Sequence, residues 1–329
     1  MEIVHGVNLV KVPIPDNPLG FLNCYLVAGK DGWLMVDTGW HTHEALNALQ
    51  EGLRQLGLAF TDIATIVITH VHPDHFGLAG RLKQLSPHTQ LLAHHWEWAL
   101  IESRYIKFTD LQRRMGMMLR QHGVPNIDIP ALKTASMPAM EFVTVTMPDE
   151  ALYGGETLST GLYNLEVIWT PGHSPGHICL YEPQNQLLFA GDHVLPIITP
   201  NVSYHVQSGE DPLGDYIYAL QKLQHLPVTK VLPAHEHVFS DLPGRIKEIF
   251  EHHDRRKEEM RRLIQDKPRS AYEISSHITW DIPDLTWEQF TPHLQRAAVT
   301  ETVAHLEHMR WERTVTRIDQ DEFFLYSAA

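Results

Sequence analysis

The stretch Thr69-His-Val-His-Pro-Asp-His75 sets three histidines and an aspartate between His70 and His75. Neutral imidazoles and carboxylates are ligands for zinc, and iron or manganese can use the same set. On extended backbone, residues two apart point the same way, so His70 and His72 can grip one ion. Asp74 and His75 follow the turn at Pro73 and can address a second. The chain has 23 histidines, and a lone histidine is ordinarily a packing or surface residue. The metal reading therefore depends on further ligands elsewhere.

Those ligands stand at the ends of apolar runs. The β-branched run at 64–69 leads into His70, Val-Ile-Trp-Thr-Pro-Gly into His173, Leu-Leu-Phe-Ala-Gly into Asp192, and Lys-Val-Leu-Pro-Ala into His235. Short apolar, β-branched runs bounded by Gly or Pro read as buried strands. Four strands that each end in a ligand would hold a precise site on a rigid sheet.

The elements around them follow from the same patterns. Strands are expected at 2–12, 21–29, 33–36 and 90–95, then at 142–147, 156–160, 165–170, 177–182 and 186–191. Helices are expected at 43–57, 76–85, 211–226 and 246–264, from apolar residues at helical spacing. Residues 95–140 interrupt this rhythm with one or two amphipathic helices rich in Trp and Met, followed by a Pro-rich stretch. Their apolar faces read either as core or as the lining of a substrate channel, with Trp96, Tyr105 and Met118 the candidate contacts. Past residue 245 the chain becomes highly charged. Ser270 with Glu273 and Thr286 with Gln289 have capping-box spacing for new helices, and 315–326 reads as a hairpin. The expected organisation is a catalytic domain over 1–245, with an insertion at 95–140, and a compact winged-helix-like domain over 246–329.

His-x-His-x-Asp-His, the Thr-Pro-Gly-His-Ser-Pro-Gly-His loop at 170–177, Ala-Gly-Asp at 190–192 and Leu-Pro-Ala-His at 232–235 together resemble the metallo-β-lactamase superfamily. Val-Asp-Thr-Gly at 36–39 agrees with it. The resemblance covers roughly residues 1–245 and implies an α/β, four-layer αββα sandwich. It implies that His70, His72 and His173 hold one metal, that Asp74, His75 and His235 hold another, and that Asp192 bridges them. Asp37 would sit one layer behind the ligands, and His177 would be structural or lie in that same layer. A bridging aspartate is shared with glyoxalase II-like hydrolases, and the charged tail is similar to that of certain cytoplasmic β-lactamase-like hydrolases. His193 is expected to point away from the site, His237 could compete as a ligand, and His252 and His253 belong to helix surface or packing. Tyr204 could orient a substrate carbonyl or be a buried structural tyrosine.

Two close divalent metals lower the pKa of a shared water towards ~7 and supply hydroxide at neutral pH. Asp74 is placed to orient that water. No Gly-x-Ser-x-Gly elbow offers a protein nucleophile instead. An ester-like bond is the expected target, most plausibly a thioester, with the Trp- and Met-rich insertion receiving an acyl chain. A lactone, or a phosphodiester in DNA or RNA, is an alternative on the same site. A metal-sensing, DNA-binding or dimerising protein is the non-enzymatic one. The net charge of −14 weighs against nucleic acid as a partner. Within 251–329, 11 Lys and Arg stand against 15 Asp and Glu. The two cysteines, Cys24 and Cys179, lie in strand-like contexts and read as buried free thiols. With no basic, then apolar start and no apolar run near ~20 residues, these facts point to the cytoplasm and to a small-molecule substrate. A homodimer is compatible with the tail.

Overall fold

The computed structural model describes residues 1–280, 285–320 and 322–329. Seven strands run in chain order across the first sheet: β1 (Glu2–Val4), β2 (Val7–Pro13), β3 (Phe21–Val27), β4 (Trp33–Val36), β5 (Ile63–Ile68), β6 (Gln90–His94) and β7 (Glu150–Leu152). β1 to β4 are antiparallel; β4 to β7 are parallel. The parallel strands require crossovers. The helices α1 (His43–Gln55), α2 (Pro73–Phe76) and α3 (Ala79–Leu85) provide two of them. Thr42 caps α1 by accepting from Ala45 N, and its buried face is Ala45, Leu49 and Leu53.

The second sheet has the order β12-β11-β10-β9-β8, built from β8 (Thr157–Ser159), β9 (Asn164–Trp169), β10 (Ile178–Glu182), β11 (Leu187–Gly191) and β12 (Lys230–Pro233). Every residue of β10 and β11 is buried, which explains why both read as unbroken apolar runs. Three apolar clusters define four layers. Leu49, Leu53, Ile66 and Leu82 pack helices on the first sheet. Val36, Val67, Leu180 and Phe189 join the sheets. Leu188, Tyr216, Leu220 and Ile246 pack the second sheet against α7 (Pro212–Leu223) and α8 (Leu242–Leu263). The fold is the αββα sandwich.

Between β6 and β7 lie α4 (His95–Ile101), a π-helical turn (Glu102–Ile106), α5 (Phe108–Gln121), α6 (Ile129–Lys133) and a 3-10 turn (Pro138–Phe142). The strand expected at 142–147 does not form. Its backbone is spent elsewhere: Phe142 O accepts from His41 N, and Thr144 N donates to Gly77 O at 2.9 Å. The passage is so close that a Cβ on Gly80 would collide with the Thr144 carbonyl. The edge strand falls at Glu150–Leu152 instead.

α8 carries the chain past residue 246 without a break, placing Leu242, Ile246 and Ile249 against the second sheet and Met260 in a separate cluster. That cluster joins α9 (Ala271–Ser275), α10 (Pro292–Trp311) and the hairpin of β13 (Val315–Asp319) and β14 (Phe324–Ala328); residue 321, within the expected hairpin, lies outside the described residues. Ser270 caps α9 by accepting from Glu273 N. Thr286 and Gln289 close a capping box over a single 3-10 turn, Trp287–Gln289, rather than a new helix. Pro292 keeps the residue before it extended, so Thr291 sits at φ −62°, ψ 158° and becomes the cap of α10. Among the described residues no helix is long and apolar enough to cross a membrane.

Candidate metal centre

Seven side chains converge where β5, β9, β11 and β12 end. Three groups of nitrogen and oxygen atoms lie within 4.8 Å of one another: His70, His72 and His173; His70, His75 and Asp192; Asp74, His75 and His235. Asp192 connects them. Its Oδ2 is 3.5 Å from His75 Nε2, 3.6 Å from His173 Nε2 and 4.0 Å from His70 Nε2, and its Oδ1 is 3.4 Å from His235 Nε2. Asp74 Oδ2 is 3.3 Å from His235 Nε2 and 3.8 Å from His75 Nε2.

The other ring nitrogens fix what these atoms offer. His75 Nδ1 donates to Asp37 Oδ2 at 2.8 Å, His173 Nδ1 to Asn201 O at 2.7 Å, and His235 Nδ1 to Phe21 O at 3.0 Å. Each inward nitrogen therefore presents a lone pair. Thr69 donates its hydroxyl to Asp37 Oδ2, which leaves Thr69 Oγ1 to accept from His70 Nδ1 at 3.2 Å. His72 Nδ1 faces His70 Nε2 at 2.8 Å and His173 Nε2 at 3.1 Å. Acceptors do not converge in this way unless something positive lies between them. His75 Nε2, His235 Nε2 and Asp192 Oδ1 are buried without any hydrogen-bond partner, an arrangement that buried polar atoms avoid unless a water or ion serves them. A tetrahedral ion with bonds of about 2.0–2.1 Å spaces its ligands about 3.3 Å apart, within the range found here. The His/Asp clusters fit a divalent metal site.

Electrostatics agree. Burial pushes His70 and His72 well down, so both stay neutral. At His75 burial also pulls down, but Asp192, Asp37 and Asp74 outweigh it and hold the ring well above its ordinary value, so its inward Nε2 favours a positive partner and a proton competes there with a metal ion. Asp192 is held well below the carboxylate range: burial raises it, and His235 and His75 more than reverse that. The cluster as a whole attracts positive charge.

Asp37, with φ 59°, accepts from Thr69 N at 2.8 Å as well as from His75, so it braces both the end of β5 and a ligand. His177 does not face the ligands' convergence point. Thr170 Oγ1 lies 2.8 Å from its Nδ1, and its Nε2 accepts from Asp192 N at 3.1 Å. A Cβ on Gly191, at φ 51°, would collide with that ring. His193 is buried and absent from the cluster, His237 is exposed, and His253 is buried in packing. Tyr105 donates its hydroxyl to Val71 O at 2.7 Å, between two ligands. Trp96 is 50% exposed at the start of α4. Met118 is buried with Leu119, Leu132 and Val299. Tyr204 is half-buried and lines a cavity of about 770 Å³ with Glu210, Glu307, Arg310 and Trp311, which includes none of the seven converging residues.

Sequence pattern does not single out Glu97. This fully buried carboxylate accepts from Val71 N at 2.8 Å, Ser174 Oγ at 2.6 Å and Gly176 N at 2.8 Å. It ties the loop bearing His70 and His72 to the loop bearing His173. The one available signal is a glutamate set between Trp96 and Trp98 in an apolar segment.

Residues 17–235 match the family described as the Metallo-beta-lactamase superfamily, well over half of the chain. The chain belongs to that superfamily. It is 28% identical over 312 residues to the probable metallo-hydrolase YqjP of Bacillus subtilis (strain 168), covering 93% of each protein. It is 29% identical over 230 residues to the acyl-coenzyme A thioesterase MBLAC2 of Gallus gallus, covering 66% of this chain and 73% of that one. The crystal structure of the metallo-beta-lactamase family protein TTHA1429 from Thermus thermophilus superposes with a TM-score of 0.85 at 32% identity, over 100% of both chains. Membership in this superfamily of hydrolases implies divalent metal ions, in keeping with the geometry above.

Proposed function

We propose that the chain is a dinuclear metal-dependent hydrolase of thioesters. The observation that carries the metal reading is the trio of buried, unpartnered atoms on His75, His235 and Asp192. His70, His72 and His173 would hold one ion, Asp74, His75 and His235 the other, with Asp192 shared; zinc suits these ligands, as do iron and manganese. A pair of such ions supplies water ionised near neutral pH and a Lewis acid for the scissile carbonyl.

The protein's own residues do the rest. Asp37 and the Phe21 and Asn201 carbonyls hold three imidazoles in the tautomer that presents a lone pair. Asp74, more open than Asp192 at 16% against 11% side-chain exposure, accepts a hydrogen bond from the attacking water and orients it. Trp96, half exposed at the start of α4, is the surface we assign to an acyl chain. The thioester assignment is supported by the likeness to a protein named as an acyl-coenzyme A thioesterase. The net charge of −14 disfavours DNA or RNA as the substrate. The two buried free thiols suit a reducing, cytoplasmic setting, and we keep the division into a catalytic unit over 1–245 and a winged-helix-like unit over 246–329. Metal analysis of the purified protein, followed by turnover of acyl thioesters, lactones, a phosphodiester and RNA, tests the reading. Two equivalents of metal with thioesters turned over fastest are expected; a phosphodiester or RNA cleaved faster would overturn the substrate assignment.

A further inference from the structure

Two arginines flank the 201–208 segment beside this site. Arg104 comes from the π-helical turn and Arg296 from the start of α10. Arg104 Nε donates to Gln207 Oε1 at 3.3 Å, its Nη2 lies 3.5 Å from His205 Nε2, and Arg296 Nη1 donates to Ser136 Oγ at 2.8 Å. Among the described residues neither forms an ion pair, whereas exposed Arg113 pairs with Asp110 at 2.7 Å. Both residues are partly buried, and an unpaired charge is costly where water is withdrawn from it. Burial, with Arg104 adding to it, lowers Arg296 to about 10. Burial, then Arg104, Arg296 and His173, hold His205 at about 3.

The 201–208 segment ties the pair to the metal centre. Asn201 O accepts from His173, Tyr204 N donates to Thr300 O at 2.9 Å, and Thr300 Oγ1 donates to Arg296 O at 2.9 Å. The neighbour of Arg104, Tyr105, holds Val71 O between His70 and His72.

We propose that Arg104 and Arg296, with His205 between the loops, form a receptor for an anionic group carried on the acyl side of the substrate. Guanidinium forks match a planar carboxylate or a phosphoryl group, and the substrate class becomes an acyl thioester bearing one of these near the scissile bond. The inference rests on the hydrolase reading above.

The test compares N-acetylcysteamine thioesters, whose leaving group is uncharged. Glutaryl, 3-phosphonopropionyl and pentanoyl chains are hydrolysed by the metal-loaded full-length protein and by Arg104→Gln, Arg296→Gln and Arg296→Lys. Calorimetric binding of glutarate and of methylphosphonate is measured on the same proteins. A charged chain is preferred, and either glutamine variant lowers the charged-over-uncharged ratio of kcat/KM by about 10- to 100-fold. Arg296→Lys restores part of it, since it keeps charge without the fork, and it stands in should a glutamine variant not fold. Preference for glutaryl identifies a carboxylate, and preference for the phosphonate a phosphoryl group. If no thioester turns over yet the glutamine variants weaken probe binding, the receptor stands and the thioester reading falls. Equal ratios in all proteins, with probe binding unchanged, would overturn the receptor.

Discussion

Buried histidines gather in two parts of this molecule, and they behave in opposite ways. At the strand ends, His70, His72, His75, His173 and His235 point lone pairs at one another and at Asp74 and Asp192. Between α8 and α10, His305 Nδ1 donates to Glu301 O at 2.9 Å, so its Nε2 accepts from His253 Nδ1 at 3.0 Å. Burial lowers His305 to about 3, and it holds His253 well down too. Burial alone makes a histidine neutral, at His70 and His72 as at His305 and His253. Carboxylates that outweigh burial, as at His75, make it part of a cation receptor.

Removing the carboxylate that unites the first group should therefore have the largest effect. Asp192→Ala leaves five histidines facing one another as the packing pair does. Bound metal and turnover should both fall, by more than the ~10–100-fold typical of losing an outer partner. Metal content and kcat/KM measured together check this; full activity in a metal-depleted Asp192→Ala protein would sink the mechanism.

The second group should show itself in stability. The folded pKa of His305 lies below its unfolded value of 6.5, so the unfolded chain binds more protons between about pH 3 and 6.5. The stabilisation is present above pH 6.5 and is lost as pH falls through that window. Between pH 7 and 5 the loss is roughly 2 kcal/mol. His305→Gln, neutral throughout, should shrink the fall by about that amount in urea unfolding at the two pH values. An identical fall in variant and wild type would remove His305 from the account.

The two groups also differ in how far a sequence can reveal them. His70, His72, Asp74 and His75 are local in sequence, and His173, Asp192 and His235 each end a strand that hydrophobic pattern identifies. The four layers are legible only through the family resemblance that the motifs at those strand ends carry. Glu97 is different: its donors come from residues 71, 174 and 176, so no local spacing encodes the contact. The placement of Arg104 and Arg296 about the 201–208 segment is equally non-local. The segment 142–147 alternates like a strand, yet tertiary hydrogen bonds to Gly77 and His41 claim its backbone. Pro292 turns an expected helix start at Thr286 into a one-turn prelude. Chemistry set by strand ends is legible, while bracing and selectivity assembled from helices of the insertion and tail are not.

Two residues that brace the metal loops allow that distinction to be graded. Glu97 serves three donors on two loops, while Tyr105 serves one carbonyl on one loop. Glu97→Gln keeps the shape but removes the charge and one acceptor, and should weaken metal binding by about 10–100-fold. Tyr105→Phe deletes a single hydrogen bond to Val71 O and should cost about 0.5–1.5 kcal/mol. Its effect on metal affinity should stay within about ten-fold, because Glu97 still holds Val71 N from the other side of the same residue. Chelator competition on the two variants measures both. A Tyr105→Phe protein as defective as Glu97→Gln would mean that the Val71 carbonyl, not the tie between loops, keeps His70 and His72 aimed at one point.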